Sequence, residues 1–97
     1  MSGENLQSVL SSVSERIAHC RNAPVDQAKE AFGAAMVRLI EARNARLAAV
    51  DARDPELQQV NAILSLMASI EFPLAGLHRE RMDQVTRALD ALASAAA

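Results

Sequence analysis

The chain has no tryptophan and no tyrosine, one cysteine, and only three glycines and three prolines in 97 residues. Each shortage excludes something. A lone cysteine, Cys20, cannot close an internal disulfide, which favours a reduced compartment. The glycines stand apart at positions 3, 33 and 76, so no glycine-rich loop can cradle a phosphate. The only aromatic residues are Phe32 and Phe72, too few to stack nucleic-acid bases. β-Branched residues are sparse against 20 alanines, which leaves little strand propensity. The longest stretch without a charge runs from Leu57 to Ile70, and Gln58, Gln59, Asn61, Ser65 and Ser69 interrupt it, so it does not read as a membrane span. The first residues, Met1 to Asn5, are polar and lack the basic start of a secretory signal. Cytoplasmic residence is the expectation.

Charge is balanced. The net value is -2, nine of the ten basic residues are arginine, and no segment is strongly basic. Binding to nucleic acid needs a clustered positive face and is not expected. A chain that is 51% hydrophobic with so small a net charge is expected to fold. Ninety-seven residues make one domain, spanning 1–97.

What is present is helical periodicity. Leu6, Leu10, Val13, Ile17 and Cys20 recur at alternating spacings of four and three, one apolar stripe on a helix over about residues 4–21. Asn22-Ala23-Pro24 ends it. Pro24, Asp26 and Glu30 suit the start of a second helix, expected over about residues 24–52. Its apolar face holds Val25, Phe32, Met36, Leu39, Ile40, Leu47 and Val50. Asp54-Pro55-Glu56 is the clearest local signal: an N-cap, a proline in the first helical position and an acid in the first turn.

A third helix follows over about residues 55–94, with Leu57, Val60, Leu64, Met67, Leu74, Leu77, Met82, Val85, Leu89 and Leu92 on its main face. Pro73 must kink or break it. Because the apolar phase persists across Pro73, the expectation is an all-α, three-helix antiparallel arrangement with two long helices, the last one kinked. A compact four-helix bundle broken at Pro73 is the alternative. Gly33 falls level with Leu74 in this register, as if to allow a close backbone approach.

In the three-helix arrangement the first helix covers only half of the second. The bare hairpin tip then predicts a homodimer through a seam of Leu47, Val50, Leu57, Val60 and Leu64. On another face of the long third helix, Ser65, Ser69, Phe72 and Gly76 form a small-residue surface with one aromatic anchor, a candidate contact for a protein partner.

Arg43, Glu71 and His78 fall inside predicted apolar arcs as possible buried polar groups. They could serve a ligand-binding or catalytic bundle, or only fix subunit register. No acid stands three residues before either histidine, so the Glu-x-x-His pattern of di-iron bundles is absent. The expectation is a non-enzymatic protein–protein interaction module, an adaptor, regulatory subunit or chaperone-like protein, with no cofactor and no metal.

Overall fold

The structure, a computed structural model, describes residues 6–96. It is all-helical: α1 (Leu6–Cys20), α2 (Val25–Ala49), α3 (Pro55–Ala68) and α4 (Leu77–Ala96). No strand occurs among the described residues. Each helix packs on two others. α1 lies against α2 and α4, and α3 lies against the same two, which closes a ring around one core. At 1.5 Å per residue α2 is about 37 Å long, matching the longest dimension of the molecule, 37 Å. The first helix was expected to begin near residue 4, which lies outside the described residues.

The single kinked helix expected over residues 55–94 is two helices, and the reason is local. Pro73 has no N–H to give to the carbonyl of Ser69, four residues back. Arg81, from α4, donates to that carbonyl instead at 2.8 Å. The last turn of α3 tightens, with the N–H groups of Ser69 and Ile70 bonded three residues back to Leu66 and Met67. The Phe72–Pro73 peptide is cis. Gly76, at φ 54°, adopts the left-handed conformation that only glycine takes without strain, and α4 begins immediately after it. The phase of the apolar pattern hides this break. Met67 and Met82 are about four helical turns apart, so two helices with a connection between them read as one.

The core draws on all four helices. α1 gives Leu10, Val13 and Ile17, α2 gives Phe32, Ala35 and Leu39, α3 gives Val60, Ile63 and Met67, and α4 gives Met82, Val85, Leu89 and Leu92. The α1 stripe read from the sequence is the face it buries, with Val9 added and Leu6 only partly covered. Leu77, placed on a buried face by the continuous-helix reading, is 55% exposed, and Leu74 is half-buried in the connection. No polar or charged residue is buried among those described. Cys20 is buried, its Sγ donating to the Ala28 carbonyl at 3.3 Å, and burial pushes its thiol pKa up. It packs as a small core residue.

The junction of α2 and α3 forms as the sequence predicts. Asp54 accepts from the Leu57 N–H at 3.0 Å, and Pro55 opens the helix. Arg46, from the last turn of α2, reaches both Asp54 (3.2 Å) and Glu56 (2.9 Å). The Arg46 hydrogen bond holds the Asp54 carboxyl below its ordinary range, and the Leu57 N–H lowers it further. A carboxyl with a lowered folded-state pKa stabilises the fold above its unfolded value, about pH 4, and that contribution disappears as pH falls through the folded value. Urea midpoints of the native protein are therefore expected to fall below about pH 4 more steeply than those of Asp54→Asn, which keeps a cap but cannot titrate. Parallel curves would show that the Arg46–Asp54 pair does not contribute.

Candidate functional site

The positions singled out in the sequence do not assemble as one site. Arg43 bonds its own neighbour, Asn44, at 3.1 Å. Glu71 and His78 do come together. The Glu71 N–H donates to His78 Nδ1 at 3.2 Å, and His78 Nε2 lies 3.9 Å from the Glu71 carboxylate. Neither is buried: the Glu71 side chain is 83% exposed, and Arg43 and His78 are intermediate. The expectation of buried polar groups is therefore corrected. Glu71 lies in the connection and His78 at the start of α4, where the continuous-helix face does not apply, and Arg43 lies in α2 beyond its last buried position, Leu39. With Arg81 on Ser69, His78 on Glu71 gives the 69–76 connection two tethers from α4. Among the described residues no cluster of histidine, cysteine and carboxylate could hold a metal.

The seam residues are also redistributed. Leu57, Val60 and Leu64 are buried within the single chain, Val50 is half-buried, and Leu47 is 49% exposed. The break at Pro73 is the cause, because it brings α4 back across α3. The buried positions of α2 do stop at Leu39, so its second half stays poorly covered, as the sequence argument held. The five residues nevertheless share no free surface.

The small-residue surface around Phe72 changes in the same way. α3 ends at Ala68, so Ser65, Ser69, Phe72 and Gly76 do not share a helix face. Ser65 is exposed on α3, Ser69 caps that helix with its hydroxyl on the Leu66 carbonyl at 2.7 Å, and Gly76 lies in the connection. Phe72 remains informative. It is half-buried and meets Phe32 of α2 edge to face, with ring centroids 5.4 Å apart. Beside this pair lies an open groove of about 380 Å³ between α2 and the end of α3. Phe32, Met36, Met67, Ile70 and Phe72 give it an apolar lining, with Lys29 and Glu71 as its charged residues. Gly33 forms part of its wall on the α2 side. The sequence singled out Phe72 but not Phe32, Met36 and Lys29 as its neighbours, which only the α2–α3 packing brings beside it.

Gly33 is not a point of close approach, which corrects the sequence reading. A Cβ added there would meet nothing within 4 Å. The position lies inside α2 and is exposed. Gly33→Ala is accordingly expected to raise stability by about 0.5–1 kcal/mol in urea or thermal unfolding. A loss would mean that the groove wall is occupied.

A second open groove of about 340 Å³ runs between α3 and α4. Gln59, Ala62, Ile63 and Leu66 line it from α3, and Ala88, Ala91 and Ala95 from α4. Apart from Gln59 its side chains are apolar.

Three arginines of α2 have local partners. Arg38 bonds Ser12 at 3.0 Å, Arg43 bonds Asn44, and Arg46 is held by two carboxylates. No described helix is long and apolar enough to cross a membrane. The chain matches no protein-family model, no curated protein and no solved structure.

Proposed function

We propose that this chain is a non-catalytic interaction module, which holds an apolar segment of another protein in the groove beside Phe72. The observation that carries the reading is the groove itself, where half-buried Met36 and Phe72 stand open beside the buried Phe32, Met67 and Ile70 of the core. At about 380 Å³ it is at the small end for ligand sites, which is room for one or two large side chains rather than a whole cofactor. Methionine and phenylalanine make an adaptable surface for aliphatic or aromatic anchors. Lys29 and Glu71 supply one charge of each sign to orient the bound segment. Adaptor, regulatory subunit and chaperone-like roles all use such a surface, and nothing in the site supplies a nucleophile beside a base.

The test is a selection of displayed random peptides on the native chain, followed by binding to Gly33→Trp. The added indole plugs the groove from an exposed helical position without removing a core atom. Selected peptides with an apolar anchor are expected to bind the native chain and to lose at least about tenfold in affinity on the plugged variant. Peptides that bind both proteins equally would place recognition elsewhere.

A further inference from the structure

We propose that His78 is an acid-released tether: protonation of its ring frees the Glu71 backbone and loosens the edge of the Phe72 groove. The proposal rests on the reading of that groove as the partner site and names a means of regulating it.

The chemistry follows from the direction of one hydrogen bond. A backbone N–H can only donate, and that of Glu71 donates to His78 Nδ1 at 3.2 Å. Nδ1 therefore presents a lone pair, and the single proton of the neutral ring sits on Nε2. A second proton has only Nδ1 to go to. Two N–H groups would then face each other, and the bond is lost. The imidazolium gains a different partner, because its Nε2 lies 3.9 Å from the Glu71 carboxylate. The ring is partly exposed, which admits the proton, and the exposed carboxylate has room to turn towards it. Protonation thus moves the contact from the backbone of Glu71 to its side chain.

The second tether does not titrate. Arg81 holds the Ser69 carbonyl at 2.8 Å, and a guanidinium keeps its charge throughout the range in which histidine changes. Acid therefore releases the connection at residue 71 while residue 69 stays fixed. The released end is the edge of the groove: Ile70, Glu71 and Phe72 follow one another in its lining, and Phe72 meets Phe32 of α2 edge to face. The other charges near the ring leave this exchange to Glu71. On α4, Arg79 and Glu80 are exposed, and Asp83 is paired with Arg21, from the end of α1, at 2.7 Å. Lys29 of α2 lies in the groove with Glu71, and α3 has no charged residue after Glu56 in its first turn.

The test is an NMR titration of the free, 15N-labelled chain from about pH 8 to about pH 5.5, which crosses the range where histidine ordinarily changes and stays above that of glutamate. At the alkaline end the ring of His78 is expected to carry its proton on Nε2. On acidification the Glu71 amide is expected to lose its hydrogen-bonded shift in step with the His78 ring signals, with the Ile70 and Phe72 amides following. His78→Asn keeps an acceptor close to the place of Nδ1 and cannot titrate, so in that variant the three amides should hold still. A display-selected peptide is expected to bind the native chain about threefold to tenfold more weakly at the acid end, the worth of about one hydrogen bond, and to bind His78→Asn equally at both ends. A proton on Nδ1 at the alkaline end, a Glu71 amide that ignores the ring, the same transition in His78→Asn, or a peptide affinity indifferent to pH would each overturn the proposal. The ring and amide signals are read without peptide. A chain that selects no peptide would therefore end the reading of the groove and leave the tether to be decided by its amides, and a motionless Glu71 would end the tether and leave peptide binding standing.

Discussion

Leu89→Ala is expected to cost about 2–5 kcal/mol of folding stability, while Leu47→Ala costs less than about 0.5 kcal/mol. The two leucines are the same size and both lie on apolar arcs in the sequence, so the contrast isolates burial. Leu89 is completely buried in α4, where it joins the core shared with α1 and α3. Its truncation removes transfer free energy and leaves a cavity that rigid neighbours cannot fill. Leu47 is 49% exposed near the end of α2, beyond the last buried position of that helix. For a domain of this size, whose stability is about 5–15 kcal/mol in total, the first change is a large fraction and the second is minor. Urea unfolding at constant m-value is the measurement. Similar losses for the two variants would mean that the end of α2 is covered and the ring of helices is drawn wrongly.

Phe32→Ala should be comparably severe, at about 3–5 kcal/mol. Phe32 is 5% exposed and ties α2 to the connection through its edge-to-face contact with Phe72. Phe72→Ala should cost less, because that ring is only half-buried. The rings are also expected to be coupled: the double variant should lose less than the sum of the singles by about 0.5–1.5 kcal/mol. Strict additivity would show that the contact contributes nothing beyond area. Phe72→Ala also separates stability from function, since it should weaken peptide binding at the groove while the chain stays folded.

The sequence showed helices and their caps clearly where the determinants are local. The α1 stripe, the Asn22–Pro24 stop and the Asp54–Pro55 start each depend on a few adjacent residues, and each is where the pattern placed it within a turn. The break before α4 was harder to see. Pro73 announced it, but the apolar residues on either side share a phase, and the tether that satisfies the freed carbonyl, Arg81 to Ser69, spans twelve residues. The error then spread. A continuous last helix leaves the α2–α3 tip bare, so Leu57, Val60 and Leu64 became a dimer seam. With the break, α4 folds back and these residues are core. Of the groove beside α2, Phe72 was legible as an aromatic standing among small residues. Its companions Phe32, Met36 and Met67 each looked like ordinary core, and only the packing of α2 on α3 shows that they share an open groove. The uncharged run from Leu57 to Ile70 was visible from the start, but which of its residues are buried and which are exposed on α3 was not.

The central claim is that the groove beside Phe72 is where this chain holds its partner, and the methionine methyl groups report on it directly. Met36, half-buried, and Met67, buried, are both among the groove residues, while Met82, equally buried, lies on α4 and is not among them. In a methyl NMR titration of 13C-methionine-labelled protein with a display-selected peptide, the Met36 and Met67 resonances are expected to shift together and saturate, with Met82 unmoved. Saturable binding that leaves Met36 and Met67 in place would contradict the account.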